Sequence, residues 1–361
     1  MTFACFAGDS LSYNSFDSFR HSLYNSRIMI ERIGVIGAGA WGTALSVLLA
    51  DKGHEVTLWM HEKDLAEEMA RTRENRVYLP GFALPVSIAV TSSLESAVKD
   101  KTIVLSVVPS HTVRAVVQQF APFLSKNSII ISASKGIEID TLMPLSEVFK
   151  DVLPKEFHDQ LCFLSGPSFA KEVARKMPTA VALASYDPIV GKKAQKVFSN
   201  TYFRVYTNPD VIGVELAGSL KNVVAIAAGV LEGMGFGYNT MAALLTRGLA
   251  EMARLGVAMG ADLQTFSGLA GMGDLVLTCT GGLSRNRTLG ERLGRGEKLD
   301  DILRGTKTVA EGVRTARAAR DLAQKYGIAM PIVEEVYLLL YDGKDPKRAV
   351  HDLMSRGLKG E

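Results

Sequence analysis

From Ile33 to Tyr206 the chain alternates short apolar runs with amphipathic stretches, and beyond Val211 only helical spacing remains. The apolar runs are Ile33 to Ile36, Glu55 to Trp59, Thr102 to Val108, Ser128 to Ser132, Leu161 to Leu164, Thr179 to Leu183 and Phe203 to Tyr206. Those at 102–108 and 128–132 are apolar on both alternating faces, as strands are when helices cover both sides of a parallel sheet. Strand and helix in alternation predict an α/β region, a Rossmann-type doubly wound parallel sheet, and the later part predicts an all-helical, substrate-binding region. Asn208-Pro209-Asp210 punctuates the change, so the expected domains are 29–210 and 211–361.

Within the first region, Ser92-Ser93-Leu94-Glu95 reads as a capping box opening a short helix, and Pro109-Ser110 closes the third apolar run. In the second, Val214 to Gly229 is a helix of almost wholly small and apolar residues, expected to lie centrally with neighbours packed close. Further helices are expected at 242–255, from Val309-Ala310-Glu311-Gly312 to Tyr326-Gly327, at 331–340, and at 347–354 after Asp345-Pro346. The stretches Gly268 to Thr278 and Ser284 to Arg287 read as two neighbouring loops.

The most specific pattern is Gly37-Ala38-Gly39-Ala40-Trp41-Gly42, set between an apolar strand and a helix that ends at Gly53. In that context Gly37 permits a tight turn, Gly39 lets a pyrophosphate approach the backbone, and Gly42 allows the helix to pack close to the strand. Free N–H groups at the helix start would face the phosphates. After the second strand, Met60-His61-Glu62-Lys63 gives a mixed signal between a ribose hydroxyl and a 2′-phosphate, and His61 also reads as an ordinary strand-end residue.

Ligands of open parallel sheets sit beyond the carboxyl ends of the strands, where Ser134-Lys135-Gly136 and Gly166-Pro167-Ser168-Phe169-Ala170 fall. Lys221 and Asn222 interrupt the apolar helix, and burying them requires partners. Burial lowers a lysine's pKa toward the range useful for proton transfer near neutrality. The alternatives for Lys221 are snorkelling to the surface or a structural pair with Glu215. Asp274 is a carboxylate or a helix N-cap, and Ser284, Arg285 and Asn286 together suit a phosphate, with Arg287 a solvated helix residue otherwise.

Composition narrows the classes. A chain of 361 residues is long for one core, and two domains are the expectation. A net charge of +3 without a long block of one sign argues against nucleic acid and leaves a small anion as partner. Cys5, Cys162 and Cys279 are the only three cysteines, and their spacing argues against a disulfide framework or a metal site. No uncharged apolar run reaches the ~18 residues of a membrane span, the longest of interest being Asn222 to Leu231, so a cytoplasmic protein without membrane insertion is expected. Residues 1–28 read as a tail outside the fold, with Met29 as the natural start, and Asp9 and Asp17 count against a targeting peptide.

From Ile33 to Leu353 these motifs together resemble the NAD(P)-dependent glycerol-3-phosphate dehydrogenases, most of all the bacterial form. The resemblance rests on the glycine turn, Ser134-Lys135-Gly136, Gly166 to Ala170, Glu215 to Val223, Gly271 to Thr278 and Ser284 to Arg287. It implies reversible reduction of dihydroxyacetone phosphate to sn-glycerol 3-phosphate for glycerophospholipid synthesis, with NAD or NADP as cofactor, NADPH favoured. It further implies Lys221 as proton donor and acceptor, and Lys135, Gly166, Ser168, Lys221, Asp274, Ser284, Arg285 and Asn286 around the substrate. Gly37, Gly39, Trp41, Gly42, His61, Lys135, Ala170, Arg285, Val309 and Glu311 would line the cofactor, no metal is needed, and a homodimer is compatible. The rival readings are a 3-hydroxyacid-type dehydrogenase, marked by preference for a carboxylate substrate, and a non-catalytic nucleotide sensor, against which Lys221 argues.

Overall fold

The computed structural model describes residues 29–304, 310–358 and 360. Residues 1–28, with Cys5, and Val309, which the resemblance sets at the cofactor, lie outside the described residues. From Glu31 onward the described chain forms one compact unit.

Eight strands make one sheet: β1 (Arg32–Ile36), β2 (Glu55–Trp59), β3 (Ile88–Thr91), β4 (Ile103–Ser106), β5 (Ile129–Ser132), β6 (Leu161–Ser165), β7 (Thr179–Ser185) and β8 (Phe203–Asn208). Their order is β3-β2-β1-β4-β5-β6-β7-β8. The order reverses between β1 and β4, and the crevice outside the carboxyl ends of those two strands is where such sheets bind ligands. β4, β5 and β6 are buried throughout, which is why their sequences run apolar without alternation. Two features differ from expectation. β3 has no counterpart among the apolar runs, and β7 runs antiparallel to β6, so the sheet is parallel only in its other pairings.

Between β8 and the helices the chain turns at Asp210, whose side chain accepts from Gly213 N at 2.8 Å and caps the next helix. That central helix spans Val211–Gly233, well beyond the uncharged run 222–231, and is long and apolar enough to cross a membrane. Its apolar surface is used inside the protein, where 83% of its most apolar window is buried. It packs against β6 and β7 and against the helices Tyr238–Ala258, Asp274–Thr280, Arg285–Gly294 and Glu311–Tyr326. Its approach to Arg285–Gly294 is so close that a Cβ on Gly290 would overlap the carbonyl oxygen of Ile226. Only a backbone without side chains can come so near, so the small residues fix where Arg285 and Asn286 begin their helix.

Two local features depart from the sequence pattern. The short helix Leu94–Val98 is capped by Ser93, which accepts from Ser96 N, while Glu95 pairs with Lys99 rather than closing a box from Ser92. The stretch 269–280 is a π-turn, Leu269–Gly273, continuing into the helix Asp274–Thr280, instead of a loop. Cys162 and Cys279 are buried and unpaired, and burial pushes both thiols up to about 12.

Candidate active site

The glycine turn leaves β1 at its carboxyl end. Gly37 sits at φ +117°, and a Cβ there would meet Val107 O at 2.7 Å, so β1 exits hard against the strand-end of β4. Gly42 is equally constrained, because a Cβ there would overlap the carbonyl oxygen of Gly37. Gly39, the N-cap of the helix Ala40–Asp51, has open space on that side. A surface without a side chain, at the start of a twelve-residue helix, fits a pyrophosphate. Buried Asn75 braces the turn, donating to Ala38 O at 2.7 Å and to Thr43 Oγ1 at 2.8 Å.

Trp41 is half-buried, with its ring centroid 6.5 Å from that of Phe203. His61 is exposed at the end of β2, its ring edge-on to Trp59. Ala170 opens the helix Ala170–Ala174, which packs on Ala40–Asp51. Glu311, at the start of its helix, accepts from Ser110 N at 3.2 Å and Ser110 Oγ at 2.6 Å. Ser110 lies just beyond β4, so this contact ties the sheet's ligand edge to the helical part.

Deeper in, Lys221 is only 6% exposed and points neither to solvent nor to Glu215. It donates to Asp274 Oδ1 at 2.6 Å and to Thr278 Oγ1 at 2.7 Å. Glu215 instead accepts from Ser146 N on another helix, and burial pushes its carboxyl up to about 8. The second oxygen of Asp274 accepts from Lys135 Nζ at 2.6 Å, and Lys135 also donates to Gly166 O at 3.3 Å. Ser168 Oγ meets the same carbonyl at 3.0 Å. Asp274 is the first residue of its helix and caps nothing, its carboxylate being shared by two lysines. Burial lowers the Lys221 amine to about 8, with Asp274 resisting the fall and Lys135 assisting it.

The polar cluster divides by role. Ser284 caps Arg285–Gly294, accepting from Arg287 N at 3.3 Å. Asn286 donates to Asn222 Oδ1 at 2.9 Å and accepts from Gly312 N at 3.0 Å, joining three helices. Arg287 is spent on Gly281 O and an ion pair with Glu232. Arg285 alone has no hydrogen bond or ion pair among the described residues, and the protein around it lowers its pKa even though the side chain is open to solvent. The structure thus brings together Lys135, Gly166, Ser168, Lys221 and Asp274, sets Ser284 and Asn286 in the frame, and leaves Arg285 free. Sequence reasoning misses Ser110, Asn75 and Thr278 as supporting residues. Only Thr278 carries a readable signal, four positions after Asp274 on one helix face.

A dinucleotide fold with a glycine turn and a buried lysine held by a carboxylate places the chain among the nicotinamide-dependent oxidoreductases. Family models described as the NAD-dependent glycerol-3-phosphate dehydrogenase N-terminus and C-terminus match residues 32–190 and 210–351. A glycerol-3-phosphate dehydrogenase [NAD(P)+] of Syntrophotalea carbinolica is 56% identical over 91% of this chain and 99% of its own. The crystal structure of glycerol-3-phosphate dehydrogenase from Coxiella burnetii matches with TM-score 0.86 and 39% identity, over 91% of this chain and 99% of that one. A glycerol-3-phosphate dehydrogenase structure from Saccharomyces cerevisiae matches with TM-score 0.77 and 27% identity, over 91% and 100% respectively. The chain belongs to the NAD-dependent glycerol-3-phosphate dehydrogenase family.

Proposed function

We propose that the protein reversibly reduces dihydroxyacetone phosphate to sn-glycerol 3-phosphate with NADH or NADPH. The observation that carries this reading is the chain Lys221–Asp274–Lys135, two cations on one buried carboxylate beside the ligand edge of the sheet. The open backbone at Gly39 fits the cofactor's pyrophosphate, and the nicotinamide, when bound, supplies or takes the hydride. Lys221, as ammonium, stabilises the negative charge growing on the substrate carbonyl oxygen and gives it a proton. In the oxidative direction the neutral amine accepts the hydroxyl proton. An amine near pKa 8 serves both directions close to neutral pH.

Asp274 holds Lys221 aimed and keeps its pKa from falling further. Arg285 provides the bidentate fork for the phosphate, and Ser284, Asn286, Ser168, Gly166 and Lys135 surround the remaining substrate atoms. Gly37, Gly39, Trp41, Gly42, His61, Ala170 and Glu311 line the cofactor in this reading. Residues 29–210 act as the dinucleotide part and 211–361 as the substrate part. We place the enzyme in the cytoplasm as a homodimer supplying glycerol 3-phosphate for phospholipid synthesis. Two buried free thiols suit a reducing compartment. Oxidation of NADH or NADPH on addition of dihydroxyacetone phosphate is the test. A folded protein that binds both cofactors and turns over with neither overturns the proposal.

A further inference from the structure

At the carboxyl end of β2 stands a carboxylate that the mechanism does not use. Trp59, the last residue of that strand, accepts from Gly37 N at 3.2 Å, which sets the residues after it beside the glycine turn. His61 and Glu62 follow, both exposed, with Glu62 about twenty residues past Gly42, where dinucleotide folds place the group that meets the adenosine ribose. Glu62 is the N-cap of the helix Lys63–Thr72, its backbone extended and its carbonyl accepting from Ala66 N at 3.0 Å. Its carboxylate does not fold back onto that helix and has no hydrogen bond or ion pair among the described residues. Half-buried Tyr78 feels it: burial first, and then the Glu62 charge, push the phenol up. Tyr78 N in turn donates to Asn75 Oδ1 at 3.1 Å, and Asn75 is the brace of the glycine turn.

The cations of the surrounding segments are turned elsewhere. Lys63 lies 3.9 Å from Glu67, one turn along the helix. Arg73 donates to Pro85 O and Ile88 O, and Arg76 pairs with Glu68 and Glu74. Arg71 is on the same helix as Lys63, about two and a half turns from Glu62. His61 sets its ring edge-on to Trp59. A ribose 2′-hydroxyl offers this edge a donor for the carboxylate, whereas a 2′-phosphate brings a second negative group beside it.

We propose that Glu62 determines cofactor specificity and selects NAD(H), accepting from the adenosine ribose 2′-hydroxyl and repelling the 2′-phosphate of NADP(H). The inference rests on the reading of this edge as the nicotinamide-nucleotide site, and it opposes the preference for NADPH that the resemblance implies. A carboxylate at a helix start also suits the helix dipole, but that role acts on stability and leaves the ratio of two nucleotide affinities alone.

Titration of the full chain with NADH and with NADPH, followed by the fluorescence of the reduced nicotinamide, tests this in the absence of substrate. The titrations are run at pH 8, where an ordinary imidazole carries no charge. NADH should bind about tenfold tighter or more, the worth of a hydrogen bond to a charged group. Glu62→Gln keeps an acceptor and removes the charge, so it should narrow that gap, mostly by tightening NADPH. Glu62→Arg should reverse the preference. Equal affinities in the unaltered chain, tighter NADPH, or a ratio that neither substitution moves overturns the proposal. Turnover is scored separately. A chain that reduces dihydroxyacetone phosphate but binds the two nucleotides alike strikes the role of Glu62 and leaves the reduction standing. A chain that prefers NADH by the expected margin and reduces nothing strikes the reduction and leaves Glu62 its role. The comparison of NADH with NADPH uses the unaltered protein, so it stands even where a variant fails to fold.

Discussion

Lys221 reaches Asp274 over 2.6 Å, from the middle of the central helix to the first residue of a helix 53 positions later. The other carboxylate oxygen holds Lys135, also at 2.6 Å. One buried carboxylate therefore fixes the separation of two ammonium groups and partly neutralises both, which lets Lys221 remain charged where burial opposes it.

Replacing Asp274 with Asn keeps the shape and removes that charge. Asp274 raises the Lys221 pKa, so its loss lets burial and Lys135 lower the pKa further. Carbonyl reduction needs protonated Lys221, and the wild-type rate should fall as pH rises through about 8. In Asp274→Asn that fall should move to lower pH. A kcat/KM profile whose basic limb stays in place would show that Asp274 does not set the proton affinity of the lysine.

Arg285 is predicted to hold the substrate phosphate. Arg285→Ala removes a charge-assisted fork worth about 1.5–3 kcal/mol, so KM for dihydroxyacetone phosphate should rise roughly ten- to a hundredfold. Because the guanidinium makes no hydrogen bond or ion pair among the described residues and meets Glu311 only through space, melting temperature should stay close to that of the wild type. An unchanged KM would send the phosphate elsewhere.

Glu215 gives a stability prediction with a definite sign. Its carboxyl is raised from the ordinary 4.5 to about 8 in the folded protein, chiefly by burial. The neutral form is the one folding favours, so its contribution is complete below the unfolded pKa and is lost as pH rises through the folded value. Glu215→Gln keeps an acceptor for Ser146 N and cannot ionise. Its melting temperature relative to wild type should therefore climb between pH 5 and pH 8. A constant difference across that interval would mean that the carboxyl titrates alike in both states.

The sheet is legible where burial on both faces writes itself as an unbroken apolar run, as at Ile129–Ser132. β3 escapes because it is a four-residue edge strand in which only Ile88 is fully buried. The direction of β7 leaves no trace in composition, since parallel and antiparallel strands bury the same residues. In the site, the glycine turn and Lys221 stand out because each violates its surroundings, one by flexibility and the other by charge. Asp274 is visible as a residue but not as a partner: its two lysines arrive from the segment after β5 and from the central helix, and only the packed fold brings them together. Ser110 and Asn75 are ordinary turn residues until Glu311 and the glycine turn are set against them.

The sharpest test is Lys221→Met, which keeps much of the length and the apolar stem while removing the proton and the charge. The lysine does not pair with Glu215, so the substitution leaves that carboxylate and its Ser146 contact untouched. Asp274 loses one cation but retains Lys135, and Thr278 retains its bond to Asp274 O. The variant is therefore expected to fold and to bind NAD(P)H with near-normal affinity. Turnover should fall by the ~10²–10⁴-fold typical of losing a general acid and base, and further to the extent that charge stabilisation goes with it. The limb near pH 8 in kcat/KM should vanish along with the group that titrates there. A folded Lys221→Met enzyme with near-normal turnover would remove the lysine from the chemistry. The proton donor would then be sought at Lys135, the other cation on the same carboxylate.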